Sequence, residues 1–289
     1  SKESRAKLQT NNADAAAVAI HAEALLLMGK SEEARGFWLT QSADQTTNSV
    51  PKDPQLEALY GQTCLAEFDR LTGLKSTGLD VHIFLATEIP SEIDRMAILE
   101  LLRDALKCKA TTISAIDRLA LLSFSKHSAA NDAASMIRQL QLEGDFGAEV
   151  LNKLGMFALL LKKYPLAQSY LELANARSRG VNPMILNNLA IATLRTDPNT
   201  AETALELANQ TLEKLPNNPD ALSTRGEIYI ALGRWHEGIA DLMDAMKTRA
   251  ATAEWHRLLE KAYTESSDPE MAAEHARRAS EIEEAQAKR

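Results

Sequence analysis

Over residues 219–252 the apolar positions fall into two short runs of helical period separated by a glycine. In the first run Leu222, Gly226 and Tyr229 stand at i, i+4 and i+7, which gathers them on one stripe of a 3.6-residue period. Gly233 ends that run. The second begins near Trp235 and carries Ile239, Leu242, Ala245 and Met246 on one side, with Glu237, Asp241 and Asp244 expected on the solvated side. Neither helix can bury its stripe alone, so the pattern predicts an antiparallel pair, with Gly226 and Gly238 at the crossing.

The same grammar runs along most of the chain. Residues 1–13 are polar and predict a frayed end. A first pair is expected over 15–40, with Val18, His21, Ala22 and Leu25 on its first helix, Gly29 at the turn, and Ala34 and Trp38 on its second. His21 reads as a histidine packed between helices. Residues 41–53 have no period and predict a loop, and a helix follows from Pro54 to a stop at Gly73, with Leu56, Leu59, Tyr60, Cys64 and Phe68 on its stripe. The stretch 74–90 predicts a short helix or irregular segment. A capped helix is expected over 91–107, with Ser91 as N-cap and Asp94 three residues on. Two more, near 112–125 and 130–142, would pair through Leu119, Leu122, Ala133 and Met136.

From residue 148 the pattern becomes regular. A small residue recurs on the first helix of each pair at 155, 190 and 226, with Leu259 next, at intervals of 35, 36 and 33; on the second helix it recurs at 167, 204, 238 and 272, at intervals of 37, 34 and 34. The extra length of the second pair falls in the turn TLRTDPNTAE, where an insertion leaves both packing faces in phase. Pitch and residue order match the tetratricopeptide pattern W-x2-L-G-x2-Y…A-x3-F…P of about 34 residues. Leu222, Gly226 and Tyr229 and then Gly238 and Leu242 carry it, with Arg225 in place of the usual Leu and Gly238 in place of the usual Ala. The chain therefore resembles the tetratricopeptide repeat (TPR) family. The resemblance implies an all-α fold, a right-handed α-solenoid of antiparallel helix pairs. Its expected organisation is an N-terminal helical region, 1–146, of one TPR-like pair and degenerate hairpins, continuous with a regular array, 147–289, closed by a charged capping helix in which Arg277 and Arg278 meet Glu281 and Glu283.

Composition agrees with helices: 45% apolar, 5% aromatic, and 12 Gly and 9 Pro, too few for a turn-rich β protein. A net charge of −8 with scattered Lys and Arg argues against nucleic acid. No apolar run nears the roughly 18 residues of a membrane span. No signal-peptide pattern follows Ser1, so a soluble, cytoplasmic protein is the expectation. Cys64 and Cys108 have no metal-ligand spacing and read as reduced core thiols rather than a disulfide.

Candidate chemistry is thin. Asp145, Phe146 and Gly147 spell a kinase triplet without the rest of the kinase motifs. His21, His82, His127, His236, His256 and His275 form no metal motif, and Asn209 opens a glycosylation sequon in mid-helix. No metal, cofactor or catalytic residue is expected. The TPR resemblance implies that the first helices line a concave groove, and it places there Asn152, Lys153 and Met156, Asn187, Asn188 and Ile191, Thr224 and Glu227, and His256 and Arg257. Amides and hydroxyls beside a few apolar groups suit an extended peptide. The family's carboxylate clamp is matched at Asn188 alone, with Met156, Asp220 and Thr224 where other ligands would stand. The expected function is a non-catalytic interaction scaffold that binds a protein or peptide partner. The alternative is a regulatory or substrate-docking region of a larger enzyme, such as a kinase or glycosyltransferase.

Overall fold

A computed structural model of the chain describes residues 17–41, 51, 53–73, 89, 93–142 and 146–287, with the backbone alone at 39–41. Among them every regular element is helical. The expected loop over 41–53, the segment 74–90 and Ser91 lie wholly or largely outside the described residues, as does Asp145. Two compact units divide the chain, 1–146 and 147–289.

The first unit holds α1 (17–27), α2 (Ser31–Gln41), α3 (Pro54–Thr72), α4 (Arg95–Lys107), α5 (Thr112–Phe124) and α6 (Ala130–Leu142). Neighbours in sequence from α2 to α6 pack on one another, as in a stack of degenerate pairs. Gly29 turns α1 into α2 at φ 71°, and Ala22, Leu25, Ala34 and Trp38 are buried. His21 is exposed rather than held in the core, its ring set against Phe37 at 4.6 Å. The start of α4 also departs from expectation. Asp94, not Ser91, is its N-cap, because the Asp94 carboxylate accepts the Met96 N–H at 2.9 Å and leaves Ile93 outside the helix.

The core of this unit is not purely apolar. In α3, Thr63, Glu67, Asp69 and Thr72 are buried beside Cys64 and Phe68. Arg118 of α5 grips Asp69 with two hydrogen bonds of 2.7 and 2.6 Å. Burial still pushes the Asp69 carboxyl above its ordinary value against that pull, so the pair only partly offsets its own desolvation. Tyr60 donates to Asp104 at 2.8 Å, Ser31 to Glu67 at 2.8 Å and the Trp38 indole to Thr63 at 3.2 Å. Cys64 and Cys108 are free and buried, and burial pushes their thiols up to about 12 and about 11. These are packing thiols, far from the acidic thiolates of reactive cysteines.

The second unit is a series of helix pairs: α7 (Ala148–Leu160) with α8 (Tyr164–Arg177), α9 (Pro183–Thr196) with α10 (Ala201–Lys214), α11 (Pro219–Ala231) with α12 (Trp235–Met246), and α13 (Ala253–Glu265) with α14 (Pro269–Ala287). Asn182 and Asn218, each followed by proline, cap α9 and α11 by accepting the N–H of Met184 and of Ala221. The turns between partners use a left-handed residue: Lys162, Gly233 and Ser267, at φ 55°, 74° and 63°. Only α9 and α10 are joined otherwise, through a 3-10 turn at Pro198–Thr200, where the sequence has its extra residues.

The small positions are helix crossings. A Cβ on Gly155 would stand 2.5 Å from Leu171 Cγ. One on Gly238 would stand 2.6 Å from Ile230 Cγ1 and 3.0 Å from the Gly226 carbonyl. Ala167, Ala190, Ala204 and Leu259 are fully buried. Asp241, expected in solvent, is instead buried, because the guanidinium at position 225 reaches it with bonds of 2.7 and 2.9 Å while also donating to Asn209. Arg225 thus replaces an apolar contact by a charged strut across α10, α11 and α12. It also accounts for Asn209, whose amide is engaged inside the array.

Candidate partner-binding face

In the second unit each pair's first helix also touches the first helix of the next pair: α7 meets α9, α9 meets α11, and α11 meets α13. Side chains bond along that row. Asn188 of α9 donates through Nδ2 to Asn152 Oδ1 of α7 at 3.0 Å. Arg195, in the last turn of α9, pairs with Glu227 of α11 and with Glu254 of α13, the latter at 2.6 Å. Its guanidinium also lies 6.0 Å from the centroid of the Tyr164 ring. The hydrogen bond that Arg195 donates to Glu227 favours its charge more than burial opposes it, so its pKa is raised still further. One face is therefore lined by α7, α9, α11 and α13 and has two ends, an amide end and an ion-paired end.

The amide end collects six of the expected residues. Asn152, Lys153, Asn187, Asn188 and Ile191 are half-buried, and Met156 is 38% exposed. Asn187 Oδ1 is buried with no hydrogen-bond partner among the described residues. Leu160, one turn beyond Met156, is exposed as well. A surface of amides and thioether or aliphatic groups can exchange hydrogen bonds with a peptide main chain and take an apolar side chain between them.

The other four expected residues are placed differently. Thr224 is 3% exposed, and its hydroxyl donates to the Asp220 carbonyl of its own helix at 2.8 Å. His256 is 4% exposed, turned into the seam with α14. Neither side chain is offered on the face, the first because a helical threonine can satisfy itself one turn back, the second because it finds another histidine. Glu227 is occupied by Arg195. Arg257 is exposed, but it is tied to Glu260 at 3.0 Å, to Glu283 at 2.9 Å and to Ser280 at 3.3 Å, the last two on α14.

Sequence reasoning passed over Arg195, Glu254 and Leu160. The signal was present in the spacing, since Arg195 follows Ile191 by four residues and Leu160 follows Met156 by four, both in phase with the groove set.

Among the described residues no cluster of three or more His, Cys, Asp or Glu could hold a metal, and no helix is long and apolar enough to cross a membrane. No protein-family profile matches the chain, and no curated protein sequence does. Solved structures do match its fold. A tetratricopeptide repeat protein from Parabacteroides merdae superposes with a TM-score of 0.53 at 15% identity, over 92% of this chain and 91% of that one. MamA from Desulfovibrio magneticus RS-1 aligns with a TM-score of 0.47 at 18% identity, over 61% of this chain and 95% of its own. The likeness to the Parabacteroides protein, together with the all-helical elements and their pitch, makes this a tetratricopeptide-type all-α fold.

Proposed function

We propose that the protein is a non-catalytic interaction scaffold whose second unit takes an extended segment of a partner protein on the face formed by α7, α9, α11 and α13. The observation that supports this best is the amide end of that face. There Asn188 bridges to Asn152, Lys153, Asn187 and Ile191 are half-buried in the same row, and Met156 stands exposed on α7. A main chain laid across two adjacent first helices would receive donors and acceptors from the same side chains. Each such bond contributes about 0.5–1.5 kcal/mol, so the affinity is spread over several contacts and lies roughly in the micromolar range.

The reading moves the centre of the site towards α7 and α9, and away from Arg257, whose cation is already compensated by Glu260 and Glu283. Its test is affinity capture from the source cells with the wild-type chain and with an Asn152→Ala, Asn188→Ala variant whose helical content is unchanged, followed by titration of the captured partner. We expect a loss of about tenfold in affinity, two hydrogen bonds' worth. Equal affinity of the two proteins would remove the amide end from the site.

A further inference from the structure

The seam between α13 and α14 contains a feature that partner binding does not use. His256 and His275 are 4% and 3% exposed, and their Nδ1 atoms lie 2.7 Å apart. Tyr263 stacks on His275, the ring planes 6° apart and the centroids 5.5 Å apart. His275 Nε2 is buried with no hydrogen-bond partner among the described residues.

Chemistry restricts this arrangement. Two facing imidazole nitrogens can bond only if one carries the proton and the other presents its lone pair. The neutral pair satisfies this with a single proton between the rings. Protonating the accepting Nδ1 sets donor against donor. Protonating the outer nitrogen of the donating ring instead leaves an imidazolium buried in the seam, and where that ring is His275 its Nε2 meets no acceptor among the described residues. Both outcomes carry the cost of a buried charge.

The groups that reach the pair do not remove that cost. On α14 they are Glu274 and Arg278, of which Glu274 is held by Arg277 and Arg278 themselves. On α13 Tyr263 stacks on His275, and Arg257 and Glu260, which flank His256 in sequence, are paired with each other. Of the helices packed on α13 from the other side, α11 commits Glu227 to Arg195 and α12 commits Asp241 to Arg225. Among the described elements the extensive contact of α14 is with α13 alone, so no second interface holds the helix if the seam weakens.

We propose that the His256–His275 pair is a proton-operated latch, and that mild acidification releases α14 from α13 while the pairs before it stay folded. The direction follows from linkage. Burial, then the Arg278 cation, lowers His256 below its usual 6.5, and burial, then His256, lowers His275. The released segment therefore takes up protons first as pH falls. The seam is fully stable above the usual histidine value and loses stability as pH drops through it towards the lower folded-state values. Release would also free Arg257 from Glu283 and Ser280.

The test is amide hydrogen exchange of the full chain at about pH 7.5 and about pH 5.5, corrected for intrinsic rates, within the range where histidine changes charge. Protection of α14 is expected to fall roughly tenfold or more on acidification, since both histidines are held below their ordinary value only while the seam is closed, while α9 and α10 keep theirs. In His256→Phe with His275→Phe, which keeps both rings and leaves neither able to take a proton, α14 protection should be the same at both pH values. His256→Leu with His275→Leu serves if that variant loses helix. The wild-type measurement decides by itself: equal α14 protection at the two pH values, or a loss shared equally by α9 and α10, overturns the latch, as does a fall that persists in a folded variant.

Discussion

The two units stack helices by different means. In the second, a small residue recurs at the helix crossings, Gly155, Ala190 and Gly226 and Ala167, Ala204 and Gly238, with Leu259 the exception, and these crossings close mainly by steric fit, to which Arg225 adds one charged strut. In the first, α3 is wrapped by its neighbours through buried polar bonds: Asp69 to Arg118, Tyr60 to Asp104, Thr63 to Trp38 and Glu67 to Ser31. A steric slot repeats with the helix pair, because each pair faces the same crossing. A polar bond is particular to its two residues and has no reason to recur. Regularity in such a fold thus reports how the seam is closed, and loss of regularity need not mean loss of stacking.

Breaking the largest polar seam should have the largest effect. Arg118→Ala leaves Asp69 buried without its counter-ion and is expected to destabilise the first unit by about 3–5 kcal/mol. Exchange protection in α3 and α5 would report it, with α9 to α12 as internal control. Because burial already pushes the Asp69 carboxyl up, the double change Asp69→Leu with Arg118→Leu should cost less than the single one. A double variant no more stable than Arg118→Ala would mean that the pair contributes through geometry rather than by cancelling charge.

The steric seams come next. Gly238→Ala brings a methyl to 3.0 Å from the Gly226 carbonyl, backbone that cannot swing aside, whereas Gly155→Ala meets only the Leu171 side chain. Both gain helix propensity of up to about 1 kcal/mol, and both overpack at a cost of about 1–3 kcal/mol. Gly238→Ala should therefore lower the melting temperature of the second unit, and Gly155→Ala should lower it less. The reverse order would show that Leu171 is the more rigid neighbour.

What can be read in the sequence follows the same division. The pair boundaries of the second unit, its pitch and the insertion at Pro198–Thr200 are legible, since each leaves a local mark: a small residue, a glycine turn, a longer loop. Polar partners are not. The helical phase of Asp241 points to solvent, and only the reach of Arg225 from the neighbouring helix buries it. Thr224 and His256 sit in phase with the groove, yet one bonds to its own turn and the other to His275. In α3 the phase of Leu56 and Leu59 suggests a stripe, but both are half-buried, and the tightest approach is at Gly61, where a Cβ would run into the Thr111 hydroxyl and stand 2.9 Å from Cys108 Cβ. A glycine within a long helical pattern is the available sign of that close approach.

On the proposed function, partners are taken on the row of first helices in the second unit. Two exposed methionines separate the alternatives: Met156 on α7 in that row and Met243 on α12, a second helix, both 38% exposed. A photo-crosslinking residue placed at one or the other site, in cells of the source organism, tests the claim whatever the partner's identity. A covalent adduct with the partner is expected from position 156 and none from position 243. Adducts from 243 with none from 156 would contradict it and move the site to the opposite helices.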